Sequence, residues 1–359
     1  MKLINEAKFP LSFHAFRTHF NGGDVFSQGF HSGYTPDVMR RAYSYNGKFS
    51  GEGVKIAIVS AFDNEAIEQN VTVFSQRFSL PVPKISVYYP DGKGQSTSRE
   101  WLVESSLDTQ WAHVFAPKAE LIVVFSKNAS VENLLSAAEY AKSTLSADVI
   151  CMCFGTDESA SDRELSLIFE DGGIFVSSSG DVGGRVSFPS SSPYCVSVGG
   201  TNLSLSPSGR RQQETAWKDG GGGASRVFEI PAFQGRFFNI FGMADGMRGT
   251  PDVSMSASFS PGVPVFVSQL GGWTNVGGTS LACACFSGVC AGIKERHPEI
   301  ETSTDVLSFL YSKAGGDGYV FPQYDFHDIT VGKSGDNFAG KGWDFATGLG
   351  SPVISQILI

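Results

Sequence analysis

No apolar run in the 359-residue sequence reaches the ~18–20 residues that a membrane-spanning helix needs. Positive charge is in short supply as well, with 27 Lys and Arg against 36 Asp and Glu and a formal net charge of −9. That balance argues against nucleic acid as the main partner, because neutralising phosphates takes basic patches. The opening stretch, MKLINEAKFPLSFHAF, lacks the apolar core of ~7–15 residues that a secretion signal requires. The expectation is a chain with no export route of its own, its compartment left undecided. There are only six cysteines: Cys151, Cys153, Cys195, Cys283, Cys285 and Cys290. None shows the C-x2-C spacing of a zinc site. All lie in apolar stretches, so reduced, buried thiols are expected. With 41% hydrophobic residues, disorder is excluded for most of the chain and a large core can be buried.

From Val54 onward, strand-like and helix-like segments alternate. VKIAIVS (54–60), KISVYY (84–89), AELIVVF (119–125), ADVICMCF (147–154) and GIFVSSS (173–179) read as buried strands. Between them, 64–78, REWLVESSLDTQWAHVF (99–115), VENLLSAAEYAKS (131–143) and RELSLIFEDG (163–172) read as helices, that over 99–115 amphipathic. Continuous apolar strands alternating with helices indicate an α/β fold, with a parallel sheet covered on both faces. The second half is richer in loops. It contains strand candidates at 194–200 and 263–269, a small-residue helix from Ser280 to Arg296, and a Gly- and Asp-rich tail from Asp328 to Gly350. Residues 1–33 read as an arm lying on a single domain that spans 34–359.

The residues offer several kinds of chemistry. In GWTNVGGTSLACACFSG (272–288), Ser280 stands at a predicted helix start, where backbone N–H groups and the dipole can stabilise an oxyanion. It is either a simple N-cap or a nucleophile. A nucleophile needs a base, and none of the six histidines sits in an evident catalytic setting. His113 is five residues from Asp108 on one helix, about 140° round its axis. Carboxylates are better placed. Glu104 and Asp108 stand four apart, about 40° around the same helix. Like charges on one face raise one pKa, and such a carboxylate can act as a general base. The alternative is an ordinary solvated acidic face. Asp181 in SSSGDVGG (177–184) follows a strand. It is either an Asx turn or a protonated acid that donates to an oxyanion. In the tail, Asp328 and Asp344 supply carboxylates and the backbone of Ile329, Gly340 and Gly342 supplies carbonyls, a mixed oxygen set of the kind calcium favours.

Taken in order, these blocks resemble the sedolisin family of serine-carboxyl peptidases. The resemblance runs from about Tyr34 to the C-terminus through GYTPDVMRRAY (33–43), GVKIAIVSAFDN (53–64), ESSLD (104–108), SSGDVG (178–183), FPSSSPYCVSVGGT (188–201), ETAWKDGGGGASRVFEIPAFQ (214–234), GGTS (277–280) and DIT…AGKGWDFATGLGSP. It implies a subtilisin-like three-layer fold and a serine-type endopeptidase that forms an acyl-enzyme at acidic pH. Carried over by motif, Ser280 is the nucleophile, Glu104 the general base and then acid, Asp108 the group that orients it, and Asp181 the oxyanion donor. Phe154 and Gly155 line the substrate cleft and hold the peptide backbone by strand-like hydrogen bonds. One structural calcium ion is expected in the 328–344 loop, on Asp328, Ile329, Gly340, Gly342 and Asp344.

The implied partner is a peptide or protein substrate, with no nucleic acid or membrane, and the chain is expected to be a monomer. One departure is Ala284, where relatives usually carry proline four residues after the nucleophile. Another is that only residues 1–33 precede the family-like segment, so no prodomain is expected in this chain. Two other functions use the same residues: a processing hydrolase of narrow specificity, and a non-catalytic calcium-binding scaffold.

Overall fold

The computed structural model describes residues 33–94, 98–235, 246–314 and 324–359, together with the backbone of a two-residue strand, His14–Ala15. The remainder of the expected arm lies outside the described residues. In spatial order the main sheet runs Arg211–Ala216, Val196–Leu205, Ile174–Ser178, Val149–Met152, Lys55–Ala61, Glu120–Ser126 and Ile85–Tyr88. Val253–Ser256 also pairs with Val196–Leu205. All these pairs are parallel except that between Arg211–Ala216 and Val196–Leu205. At the centre, Ile58 stands opposite Val123 on one side and Cys151 on the other.

The two-residue period of the strand divides its side chains between two cores. Ile56 and Ile58 join one apolar cluster with Leu107, Trp111, Leu281 and Phe286. Ala57 and Val59 point the other way, into a cluster with Leu134, Leu135 and Phe175. Helices Arg99–Phe115 and Thr279–Arg296 therefore cover one face, and Val131–Ser143 covers the opposite face. This is the expected three-layer α/β arrangement with a mainly parallel sheet.

Local chemistry explains the helix ends. The Ser98 hydroxyl accepts the Trp101 N–H at 3.2 Å and so caps Arg99–Phe115, which ends just before Ala116 and Pro117. Ser130 caps Val131–Ser143 in the same way, accepting the Asn133 N–H at 3.3 Å. The expected helix over 163–172 is shorter, with one α-turn at Asp162–Leu165 followed by a 3-10 turn at Ser166–Phe169. The strand read over 147–154 breaks at Cys153 into Val149–Met152 and Phe154–Asp157.

One packing contact positions the site. A Cβ on Gly288 would lie 2.6 Å from the Ala112 carbonyl and 2.8 Å from the Phe115 Cβ. Glycine at 288 and small neighbours at 282–285 let Thr279–Arg296 press directly against Arg99–Phe115. Both helices become buried almost all round.

Candidate active site

The helix expected to be amphipathic is buried at every residue from Trp101 to Phe115. Glu104 and Asp108, four apart on it, are 0% and 1% exposed, so they do not form a solvated acidic face. Burial drives both pKa values well above the usual carboxylate range. For Glu104, the charge of Asp108 adds to that rise and the Ser280 hydroxyl opposes it. For Asp108, burial is again the leading cause, and Cys151 adds to the rise. The carboxylate oxygens of Glu104 and Asp108 and the Cys153 sulfur lie within 4.8 Å of one another. Cys153 Sγ also donates to the Ser280 carbonyl at 3.5 Å.

Ser280 is the second residue of Thr279–Arg296 and is 1% exposed. Just before it, Gly278 holds φ at +105°, a conformation that favours glycine. A Cβ there would stand 2.7 Å from Asp181 Oδ2. Asp181 itself is tied to the helix start: its Oδ1 accepts the Thr279 N–H at 2.8 Å and the Thr279 hydroxyl at 2.7 Å. Burial pushes the Asp181 carboxyl up to about 7, against the pull of the two Thr279 donors. Among the described residues, its other oxygen, Oδ2, has no hydrogen-bond partner.

Oδ2 of Asp181 belongs to a set. Ser280 Oγ, both Glu104 oxygens and both Asp108 oxygens are also buried without a hydrogen bond of ordinary geometry. Buried polar groups are normally paired, so six orphaned atoms around one helix start call for a functional explanation. Imidazole does not supply the missing partner among the described side chains. His113 Nε2 bonds the Pro81 carbonyl at 2.7 Å, and burial lowers its pKa to about 4. His297 lies against Glu299 at 3.2 Å. Burial likewise lowers His327, which pairs with a short strand near the C-terminus, to about 4.

Phe154 and Gly155 lie on the strand Phe154–Asp157, in a small sheet of its own. The Phe154 ring is buried in the core, so the outward offering of this segment is backbone. That backbone is paired on one side with Ser187–Phe188. On the other side it pairs antiparallel with His14–Ala15, His14 opposite Gly155 and Ala15 opposite Phe154.

The tail residues also converge. Asp328 accepts the Gly342 N–H at 3.1 Å and 3.2 Å. Asp344 accepts from Gly340 at 2.9 Å, Ala346 at 2.9 Å and Thr347 at 2.8 Å. Among the described residues, no hydrogen bond uses the carbonyls of Ile329, Gly340 or Gly342. Burial raises the pKa of both Asp328 and Asp344, the latter to about 6. Elsewhere two buried groups have ligand atoms close enough to share a metal ion: Glu104, Asp108 and Cys153, and Cys151, Cys153 and Cys283.

Sequence reasoning singled out Ser280, Glu104, Asp108 and Asp181 but passed over Gly278, Thr279 and Cys153. Gly278 and Thr279 lie within the GGTS block, where the glycine and the hydroxyl next to a serine at a helix start were the available signal. Nothing local to Cys153 signalled its contacts.

A model of the subtilase family matches residues 102–350, more than half of the chain. Kumamolisin of Bacillus sp. (strain MN-32) is 29% identical over 368 residues, covering 90% of this chain and 63% of that protein. Tripeptidyl-peptidase 1 of Rattus norvegicus is 25% identical over 382 residues, covering 92% of this chain and 64% of that protein. The chain thus spans somewhat under two thirds of the length of these relatives. Among solved structures, Pseudomonas sedolisin, a serine-carboxyl proteinase complexed with pseudo-iodotyrostatin, superposes with a TM-score of 0.80 at 24% identity. That match covers 92% of this chain and 98% of the sedolisin chain, a likeness of fold. The family match shows that the chain belongs to the subtilase family, and its fold is similar to that of sedolisin.

Proposed function

We propose that this chain is a serine-carboxyl endopeptidase that cleaves peptide bonds with Ser280, Glu104 and Asp108 as its triad. The observation that carries the reading is the cluster of buried, unpaired oxygens on Ser280, Glu104, Asp108 and Asp181. Groups left unpaired in the resting protein are available to a substrate. Two buried carboxyls this close share a proton, so one is ionised and the other neutral. The ionised Glu104 takes the Ser280 proton as the hydroxyl attacks the peptide carbonyl. Asp108 holds the shared proton and orients Glu104. The oxyanion forms near the helix start, where protonated Asp181 donates from Oδ2 and the Ser280 N–H adds a second donor. Glu104 then protonates the leaving amine, and water releases the acyl group along the same path. Protonated Asp181 ties the reaction to acidic pH.

A peptide entering the site adds as a strand along the backbone of Phe154 and Gly155. That is the edge on which His14–Ala15 lies, so substrate and N-terminal segment compete for it. In the tail, the carboxylates of Asp328 and Asp344 and the carbonyls of Ile329, Gly340 and Gly342 fit one calcium ion: an all-oxygen donor set, drawn together in one loop, with its carbonyls uncommitted. The ion would serve to brace that loop.

The test is labelling by a fluorophosphonate followed by digestion of a peptide library at several pH values. Wild type is expected to be labelled at Ser280 and to cut internal peptide bonds in acid. Ser280→Ala and Glu104→Gln should each lose cleavage by ~10³-fold or more. Unchanged turnover in Ser280→Ala would exclude Ser280 as nucleophile.

A further inference from the structure

Three of the six buried thiols meet at one point beneath the carboxylate pair. Cys151 lies on the strand Val149–Met152, Cys153 follows it by two residues, and Cys283 stands in the first turns of Thr279–Arg296. Cys151 Sγ is 3.6 Å from Cys153 Sγ and 4.0 Å from Cys283 Sγ, and all three sulfurs lie within 4.8 Å of one another. With metal–sulfur bonds of ~2.3 Å, the sulfurs around a tetrahedral or trigonal ion stand roughly 3.8–4.0 Å apart. The three thiols already have close to that spacing. Cys195, Cys285 and Cys290 are equally buried yet join no such group among the described residues. Burial alone therefore does not account for the convergence. A disulfide would engage two of the sulfurs and strand the third, whereas a single ion engages all three.

We propose that Cys151, Cys153 and Cys283 form a binding site for one thiophilic d10 cation, Zn2+ or Cu+, separate from the calcium loop and linked to Ser280. Thiolate ligands select these ions over calcium or magnesium. Each coordinating thiol gives up its proton on binding. The link to the reacting serine runs through Cys153. Its S–H donates to the Ser280 carbonyl. A metal-bound Cys153 thiolate has no proton to donate there. Occupancy therefore alters the setting of the nucleophile, and it changes the charge within 4.8 Å of a carboxylate oxygen of both Glu104 and Asp108.

The three sulfurs are 0% exposed, so the ion has to enter as the chain folds. The test uses the full chain, produced in medium supplemented with zinc or with copper, purified without chelator, and analysed for metal by mass spectrometry. Wild type should carry about one equivalent of Zn or Cu, and the element found decides between the two. Cys283→Ala and the closer-fitting Cys283→Ser should lose it by about tenfold or more while keeping the circular-dichroism spectrum of the folded chain, and Cys195→Ala should keep it. Metal-free wild type in both media, or equal metal in Cys283→Ser and Cys195→Ala, overturns the site. Metal content is read without activity, so this result is independent of the peptidase reading. The link to Ser280 does rest on that reading. Its own readout is fluorophosphonate labelling, expected to be about tenfold slower in loaded than in metal-free wild type, and equal rates overturn the link.

Discussion

A single methyl group at Gly278 tests the oxyanion arrangement while leaving the side chains of Ser280, Glu104, Asp108 and Asp181 chemically intact. In Gly278→Ala the new Cβ would meet Asp181 Oδ2 at 2.7 Å, so one of the two has to retreat by roughly 0.5 Å or more to reach van der Waals contact. Asp181 Oδ1 is pinned by two hydrogen bonds from Thr279, so the displacement falls on Oδ2 and on the helix start together. Losing one well-aimed oxyanion donor costs ~10²–10³ in kcat, or about 3–4 kcal/mol. The backbone at φ +105° adds strain of about 1–3 kcal/mol to the folded state, which lowers the melting temperature. Gly47→Ala separates the two effects. It also places alanine at a positive φ, +74°, but its Cβ would meet nothing within 4 Å. The assay measures kcat, KM and melting temperature for both variants with one peptide substrate in acid. Gly47→Ala should lose stability alone. Gly278→Ala should lose stability and kcat, with KM nearly unchanged. A Gly278→Ala enzyme with wild-type kcat would refute the placement of Asp181 at the oxyanion.

Three further outcomes follow from the same geometry. Asp181 donates only while protonated, and its pKa is raised to about 7, so cleavage should fall as pH rises through that value; Asp181→Asn, whose amide donates at any pH, should lose this limb of the rate profile. Removing calcium with a chelator should lower the melting temperature, with ~2.7 kcal/mol at stake when free ion had stood at 100 times Kd, and an unchanged melting curve would count against the 328–344 site. Deleting residues 1–32 frees the strand edge at Phe154 and Gly155, so KM for peptides should fall with kcat little altered, and a KM that stays put would mean that peptide binds elsewhere.

Elements with strong local signals were legible at residue resolution. Helices 99–115 and 131–143 have a serine cap at one end, and the first has a proline just beyond the other. What could not be read was set by partners distant in sequence. Glu104 and Asp108 showed their shared face through spacing alone, but their complete burial depends on Gly288 and the small residues of a helix that lies far along the chain. Asp181 meets Thr279 across 98 residues, so neither residue's neighbours disclosed the pair. Cys153 interrupts what looked like one continuous strand, and its bond to the Ser280 carbonyl arises only when the two helices and the sheet have packed. The 163–172 segment had the composition of a helix, yet only its first turn is α-helical before the backbone tightens.

The crowding of acids in a dry interior also makes the stability of this region depend on pH. A carboxyl with a raised folded-state pKa keeps its proton where the unfolded chain has already released it, so it favours the native state in acid and ceases to do so as pH climbs through the folded value. For Asp181 the window runs from its ordinary 3.8 to about 7, a swing of about 4 kcal/mol, and the member of the Glu104–Asp108 pair that keeps the shared proton acts in the same direction. Net stabilities of native proteins are only ~5–15 kcal/mol, so this is a large fraction. At this helix start, acid would thus add stability as it arms the oxyanion donor, and neutral surroundings would withdraw both at once.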